Sequence, residues 1–185
     1  MKIIYTKDKE FKTEFENILK RAKSDIKGVS KIVENIIDEI VENGNEALKR
    51  HIEKFDKWIV KSDDELLISQ DSMKKAYETL DESLKKSLHI AYERIKAYHE
   101  KQLPKSWIDF EENGTILGQK VTAVDRAGLY IPGGKAAYPS SLLMNAIPAK
   151  VAGVKEIVVC TPTPNNEVNE LLLAACHLCG VSKVY

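Results

Sequence analysis

The sequence has no excess of either charge: Lys plus Arg is 28 and Asp plus Glu is 28. That balance removes the electrostatic reason to expect nucleic acid or an anionic membrane as a partner. No apolar run approaches the ~20 residues of a membrane span. The start, MKIIYTKDKEF, is charged within a few residues and does not read as a signal peptide. Cysteine is scarce. Three of them cannot close a disulfide framework, and they fit a reducing cytoplasm. Repeats of fixed period and low-complexity linkers are absent. The G-x-G-x-x-G fingerprint of dinucleotide-binding turns is absent as well.

What remains is a globular composition, 43% hydrophobic and 30% charged over 185 residues, enough for one large domain or two small ones. The first part reads as helical. Ile32, Val33, Ile36, Ile37, Ile40 and Val41 form one broad apolar stripe between Ser30 and Asn43. Gly44 supplies a stop. A shorter helix is expected in NEALKRHIEKFD, with Leu48, Ile52 and Phe55 on one side, and a third in SQDSMKKAYETL. Asp81 is placed to cap a long fourth helix with the stripe Leu84, Leu88, Ala91, Ile95 and Tyr98, which Pro104 closes.

The pattern changes after Trp107. Short β-rich runs broken by Asn113-Gly114 and Gly118 predict a hairpin. From Ala127, strands alternate with helices: AGLYI, PSSLLMNAIPAKVAG, EIVVCT, NEVNELLLAACHLCG and VSKVY. Such alternation implies parallel pairing with right-handed crossovers. The last run opens a strand at Tyr185, so the sheet is expected to continue beyond it. Pro148 removes a backbone hydrogen bond, and its helix is expected to break into two pieces there.

The stretch GLYIPGGKAAYPSS sits at the carboxyl end of the first of these strands, where open α/β sheets bind ligands. Pro132 fixes the exit direction. Gly133 and Gly134 can take positive φ and leave their N–H groups open to a phosphate or a planar ligand. Ser140 or Ser141 can cap the next helix, whose positive end faces the same crevice. Tyr130 can project a flat ring there. The same residues also make a plain tight turn, and spacing alone leaves both readings open.

Cys176 and Cys179 form a C-x-x-C pattern around His177. They fall at the C-terminal end of a helix, where the dipole disfavours a thiolate. With only Cys160 elsewhere, a zinc knuckle lacks ligands, so core packing is the expected role. His99 borders the apolar stripe and reads as a hydrogen-bonded structural histidine; the alternative is a reach, together with Gln102, toward an inter-domain cleft. His51 and His89 have no partner at metal spacing and are expected at the surface. Tyr138 reads equally as a pocket residue or as packing.

The run GLYIPGGKAAYPSSLLMNAIPAKVAGVKEIVVCTPTP resembles the histidinol dehydrogenase family. GNEALKRHIEKFD and YHEKQLP are similar to family segments in the same order. The resemblance covers nearly the whole chain, most strongly residues 126 to 164. It implies an α/β fold. Residues 1–125 would be a helical N-terminal region with a short hairpin, part of a first α/β domain. Residues 126–185 would be the first β-α-β-α-β part of an incomplete Rossmann-like, NAD-binding domain of aldehyde dehydrogenase-like architecture. The implied activity is the NAD-dependent oxidation of L-histidinol to L-histidine in histidine biosynthesis, by a zinc-dependent cytoplasmic homodimer.

Family members are much longer than this chain. Among the implied NAD contacts, Tyr130 matches the tyrosine of the family's Gly-Leu-Tyr run. Pro132 and Pro162 match prolines lining the same cleft, with Gly133 and Gly134 between them in the loop, and Phe55 approaches from the other domain. The family's zinc ligands and its Glu-His acid–base pair match nothing up to Tyr185. No catalytic or metal-ligating residue is therefore expected within these residues, and the chain alone is expected to be inactive. The alternative is a stand-alone nucleotide-binding or interaction module without catalysis.

Overall fold

The computed structural model describes residues 3–133 and 138–185, and for residues 21–27 the backbone alone. Two compact units divide the chain, residues 1–52 and 53–185. Helix α1 (Phe11–Asp56) is interrupted at Gly44, whose φ of 56° and ψ of −139° are not helical. Glycine adopts that conformation without a Cβ penalty. The predicted stop is thus a break between two helical pieces. It corrects one expectation. The side chain of His51 is only 13% exposed, with Nε2 3.2 Å from Glu39. Along an unbroken helix these residues would stand about 18 Å apart, at about 1.5 Å per residue. The turn at Gly44 brings them together. Ile32, Val33, Ile37 and Val41 of the apolar stripe are exposed.

The second unit holds the remaining elements: α2 (Gln70–Thr79), α3 (Glu82–Glu100), β1 (Trp107–Phe110), β2 (Ile116–Gln119), β3 (Arg126–Tyr130), α4 (Pro139–Val151), β4 (Glu156–Cys160), α5 (Glu170–Cys179) and β5 (Lys183–Val184). β1 and β2 pair antiparallel as predicted, Trp107 facing Gln119 and Phe110 facing Ile116. β3, β4 and β5 form a parallel sheet in that order. Ile68 donates its N–H to Val184 at 2.9 Å and adds a short antiparallel bridge to β5. Sequential parallel order with right-handed crossovers places α4 and α5 on one face of the sheet. They pack on each other, α2 packs on α5, and α3 packs on α4.

Local chemistry accounts for most boundaries. Ser69 caps α2, its side chain accepting from Ser72 N–H. Gln70 then donates to the carbonyls of Val181 and Ser182, which ties the start of α2 to the turn before β5. Asp81 caps α3 as expected, accepting from the N–H groups of Ser83 and Leu84. Those hydrogen bonds, led by the Ser83 hydroxyl, hold its carboxyl below the usual value. Asn169 caps α5, and Gly180, at φ 67°, ends it in the left-handed conformation. Of the α3 stripe, Leu88 is buried and Ala91 and Ile95 are partly buried, whereas Leu84 and Tyr98 are exposed.

Two expectations about α4 are corrected. Its N-cap is Tyr138, with Pro139 in the first turn, so Ser140 and Ser141 lie inside the helix and cap nothing. Proline favours the first helical position because its φ is already set and its missing N–H is not needed there. That choice moves the start of the helix ahead of the serines. Nor does Pro148 break the helix, which runs on to Val151. Ala146 and Ile147 beside it are fully buried, and the Pro148 carbonyl still accepts from Ala152 N–H at 2.9 Å. Burial of Ala146 and Ile147 in the turn before it outweighs one lost backbone bond. The core joins these pieces: Met73 of α2, Leu142 and Ile147 of α4, Val159 of β4, and Leu172, Cys176 and Cys179 of α5 are all buried.

Candidate functional site

Side chains alternate across a strand, so the two faces of the sheet separate cleanly. Ile157 and Val159 point into the helical layer and are buried. Arg126, Gly128 and Tyr130 of β3 lie on the opposite face and are exposed. On that face Glu156 reaches Arg126 at 2.6 Å and Lys183 at 3.2 Å, an ion triad spanning β3, β4 and β5. The hydrogen-bonded Lys183 ammonium, with Arg126 beside it, holds the Glu156 carboxyl below its usual value.

The carboxyl edge of the sheet brings together four of the residues picked out in the sequence. Tyr130 pairs with Cys160 in register, and both are exposed. Among the described residues Tyr130 is left 69% exposed, open to a planar partner. Pairing continues one residue further, Ile131 N–H to the Cys160 carbonyl at 3.0 Å and Thr161 N–H to the Tyr185 carbonyl at 2.9 Å. Pro132 follows, exposed, and Gly133 lies against Pro162.

Gly133 is not at positive φ, contrary to the sequence expectation. Its lack of a side chain has another cause. A Cβ there would stand 2.5 Å from the Pro162 carbonyl oxygen and 2.9 Å from Thr161 Oγ1. The end of β4 needs the room. Gly134 lies outside the described residues. Phe55 stands on a different element, at the end of α1, exposed, with Lys54 Nζ 5.2 Å from its ring centre. Tyr138, whose role the sequence left open, is 45% exposed at the start of α4.

Thr161 and Thr163 were not singled out by sequence reasoning. Both are buried polar residues at the end of β4. The available signal was the Thr-Pro-Thr-Pro run directly after a β-branched strand.

The other candidates resolve as packing. Cys176 and Cys179 are fully buried, and burial pushes both thiols up to about 12. A reactive thiol needs the opposite shift. His99 Nδ1 lies 2.7 Å from Gln102 Oε1, so the histidine is hydrogen-bonded and its partner is the glutamine three residues on. His89 is exposed and its Nε2 is 2.7 Å from the Tyr77 hydroxyl, whose ring packs on His177 at 5.2 Å. Among the described residues no group of three or more His, Cys, Asp and Glu could hold a metal ion. No helix among them is long and apolar enough to cross a membrane.

Residues 19–185 match the family model described as histidinol dehydrogenase. The chain is 69% identical to the histidinol dehydrogenase of Sulfurimonas denitrificans over 180 residues, which are 97% of this chain and 42% of that protein. It is 65% identical to that of Wolinella succinogenes, covering 95% of this chain and 41% of the relative. Against that of Helicobacter hepaticus the identity is 60%, over 100% of this chain and 42% of the relative. The crystal structure of histidinol dehydrogenase from Elizabethkingia anophelis superposes with a TM-score of 0.77 at 28% identity, over 85% of this chain and 36% of that one. The chain thus spans well under half the length of these relatives.

Proposed function

The chain belongs to the histidinol dehydrogenase family, and on that ground we propose that the full-length protein oxidises L-histidinol to L-histidine with NAD, in histidine biosynthesis. The single observation that carries this reading is 69% identity to a histidinol dehydrogenase across 97% of the chain. Within it, residues 1–125 belong to a first α/β domain. Residues 126–185 open a Rossmann-like NAD-binding domain of aldehyde dehydrogenase-like architecture. The parallel order β3-β4-β5, with crossover helices, supports the second assignment.

NAD, when bound, supplies the hydride acceptor. The contribution of this chain is placement. Tyr130 offers an exposed ring at the strand end, and Pro132 and Pro162 give a rigid, side-chain-poor edge beside it. Gly133 lets the two strand ends close up, and Gly134 and Phe55 complete the set assigned to the cofactor. The described residues do not fit a zinc site, so no step is assigned to the metal here. A zinc ion in the full-length protein would need ligands beyond any that these residues group together. A cytoplasmic homodimer is part of the same proposal. The exposed Trp107, Ile108 and Phe110 of the hairpin support cover by further protein, because an isolated two-stranded hairpin is marginal in water.

The test is NADH production from histidinol by the full-length protein. A protein that binds NAD but never reduces it would move the reading to a binding module. Tyr130→Ala is expected to weaken NAD binding by about 1–2 kcal/mol, the scale of a lost aromatic contact. Zinc content should not change. Calorimetric titration checks this, and equal affinity in a folded variant would make the loop a turn and nothing more.

A further inference from the structure

Among the described residues at this edge, Thr161 is the one whose chemistry the fold leaves unexplained. Its residue is only 9% exposed, and Oγ1 is buried with no hydrogen-bond partner among the described residues. Its main chain is fixed, because Thr161 N–H donates to the Tyr185 carbonyl at 2.9 Å. The hydroxyl faces Gly133, where a Cβ would stand only 2.9 Å away. Valine has the same shape and would fill the site without burying an unpaired hydroxyl, which is destabilising. A threonine is favoured only if some state of the protein supplies the partner.

Building on the proposed NAD site, we infer that Thr161 is a positioning residue for the ligand at this loop. Seating of a dinucleotide against Pro132 and Gly133 turns that step in place against the end of β4, on which it already packs closely. A main-chain carbonyl there then accepts from the Thr161 hydroxyl. The hydrogen bond exists only in the bound state, so its free energy appears as ligand affinity. Thr161 acts through the Pro132–Gly133 step and does not touch the reacting atoms.

The experiment compares wild type, Thr161→Val and Thr161→Ser in the full-length protein, with thermal unfolding without ligand and calorimetric titration with NAD. Without NAD, Thr161→Val should melt at the wild-type temperature or above it. Its NAD dissociation constant should rise by about fivefold to tenfold, the effect of one lost hydrogen bond. Thr161→Ser keeps the hydroxyl and should stay within about twofold of wild type. A valine variant that binds NAD as wild type does overturns the inference, whatever its melting temperature. So does one that melts lower without NAD, since the hydroxyl would then be paired already. Wild-type protein that fails to bind NAD fails at an earlier point: it removes the functional reading and this inference with it.

Discussion

Gly133→Ala is expected to destabilise the full-length protein by about 1–3 kcal/mol, the usual range for forcing an extra group into a packed site. It should also reduce NAD affinity more than Tyr130→Ala does. The reason is steric and lies within the chain. The new Cβ would sit 2.5 Å from the Pro162 carbonyl oxygen, a main-chain atom that cannot rotate away. Relief requires the Pro132–Gly133 step and the end of β4 to separate, and that separation dismantles the edge to which we assign the cofactor. Gly133→Asn distinguishes this account from a conformational one. At a left-handed position asparagine is the best tolerated replacement for glycine. Gly133 is not at positive φ, so asparagine should be no better than alanine. Urea unfolding of the two variants checks it. An asparagine variant clearly more stable than the alanine one would return the explanation to backbone conformation.

That result bears on how much the sequence could disclose. Elements set by local chemistry were legible. The β–α–β–α–β alternation, the hairpin around Asn113-Gly114, the break at Gly44 and the cap at Asp81 each depend on a few neighbouring residues. The loop was legible as a place but not in its cause. Pro-Gly-Gly reads the same whether glycine serves positive φ or a close approach, and here the approach comes from Pro162, 29 residues along the chain. Pro148 failed for a related reason: its helix survives because Ala146 and Ile147 are buried by distant residues, which no local rule registers. Thr161 passed unnoticed because threonine is ordinary in a strand. Only the missing partner makes it informative, and a missing partner is a property of three dimensions.

The C-x-x-C pair leads to the second large effect, a loss of stability in alkali. Burial raises the thiols of Cys176 and Cys179 from 9.0 to about 12, and for Cys176 the neighbouring Cys179 adds to it. The folded state therefore holds these protons at pH values where the unfolded chain releases them. For a pKa raised by folding, the contribution is complete below the unfolded value near 9 and is lost as pH climbs toward 12. By about pH 10.5 the loss should reach about 2 kcal/mol per thiol. Other groups also titrate in alkali, so the informative quantity is a difference. Between pH 8 and about 10.5 the full-length protein should lose stability more steeply than its Cys176→Ala, Cys179→Ala variant, which starts lower because alanine leaves cavities in the core. Denaturant titrations across that range measure both slopes. In the native state at pH 8, a thiol reagent should label exposed Cys160 quickly and the buried pair only after unfolding. Parallel slopes, or fast native labelling of Cys176 and Cys179, would mean that the pair is accessible and reopen the redox or metal reading that its position at the end of α5 argues against.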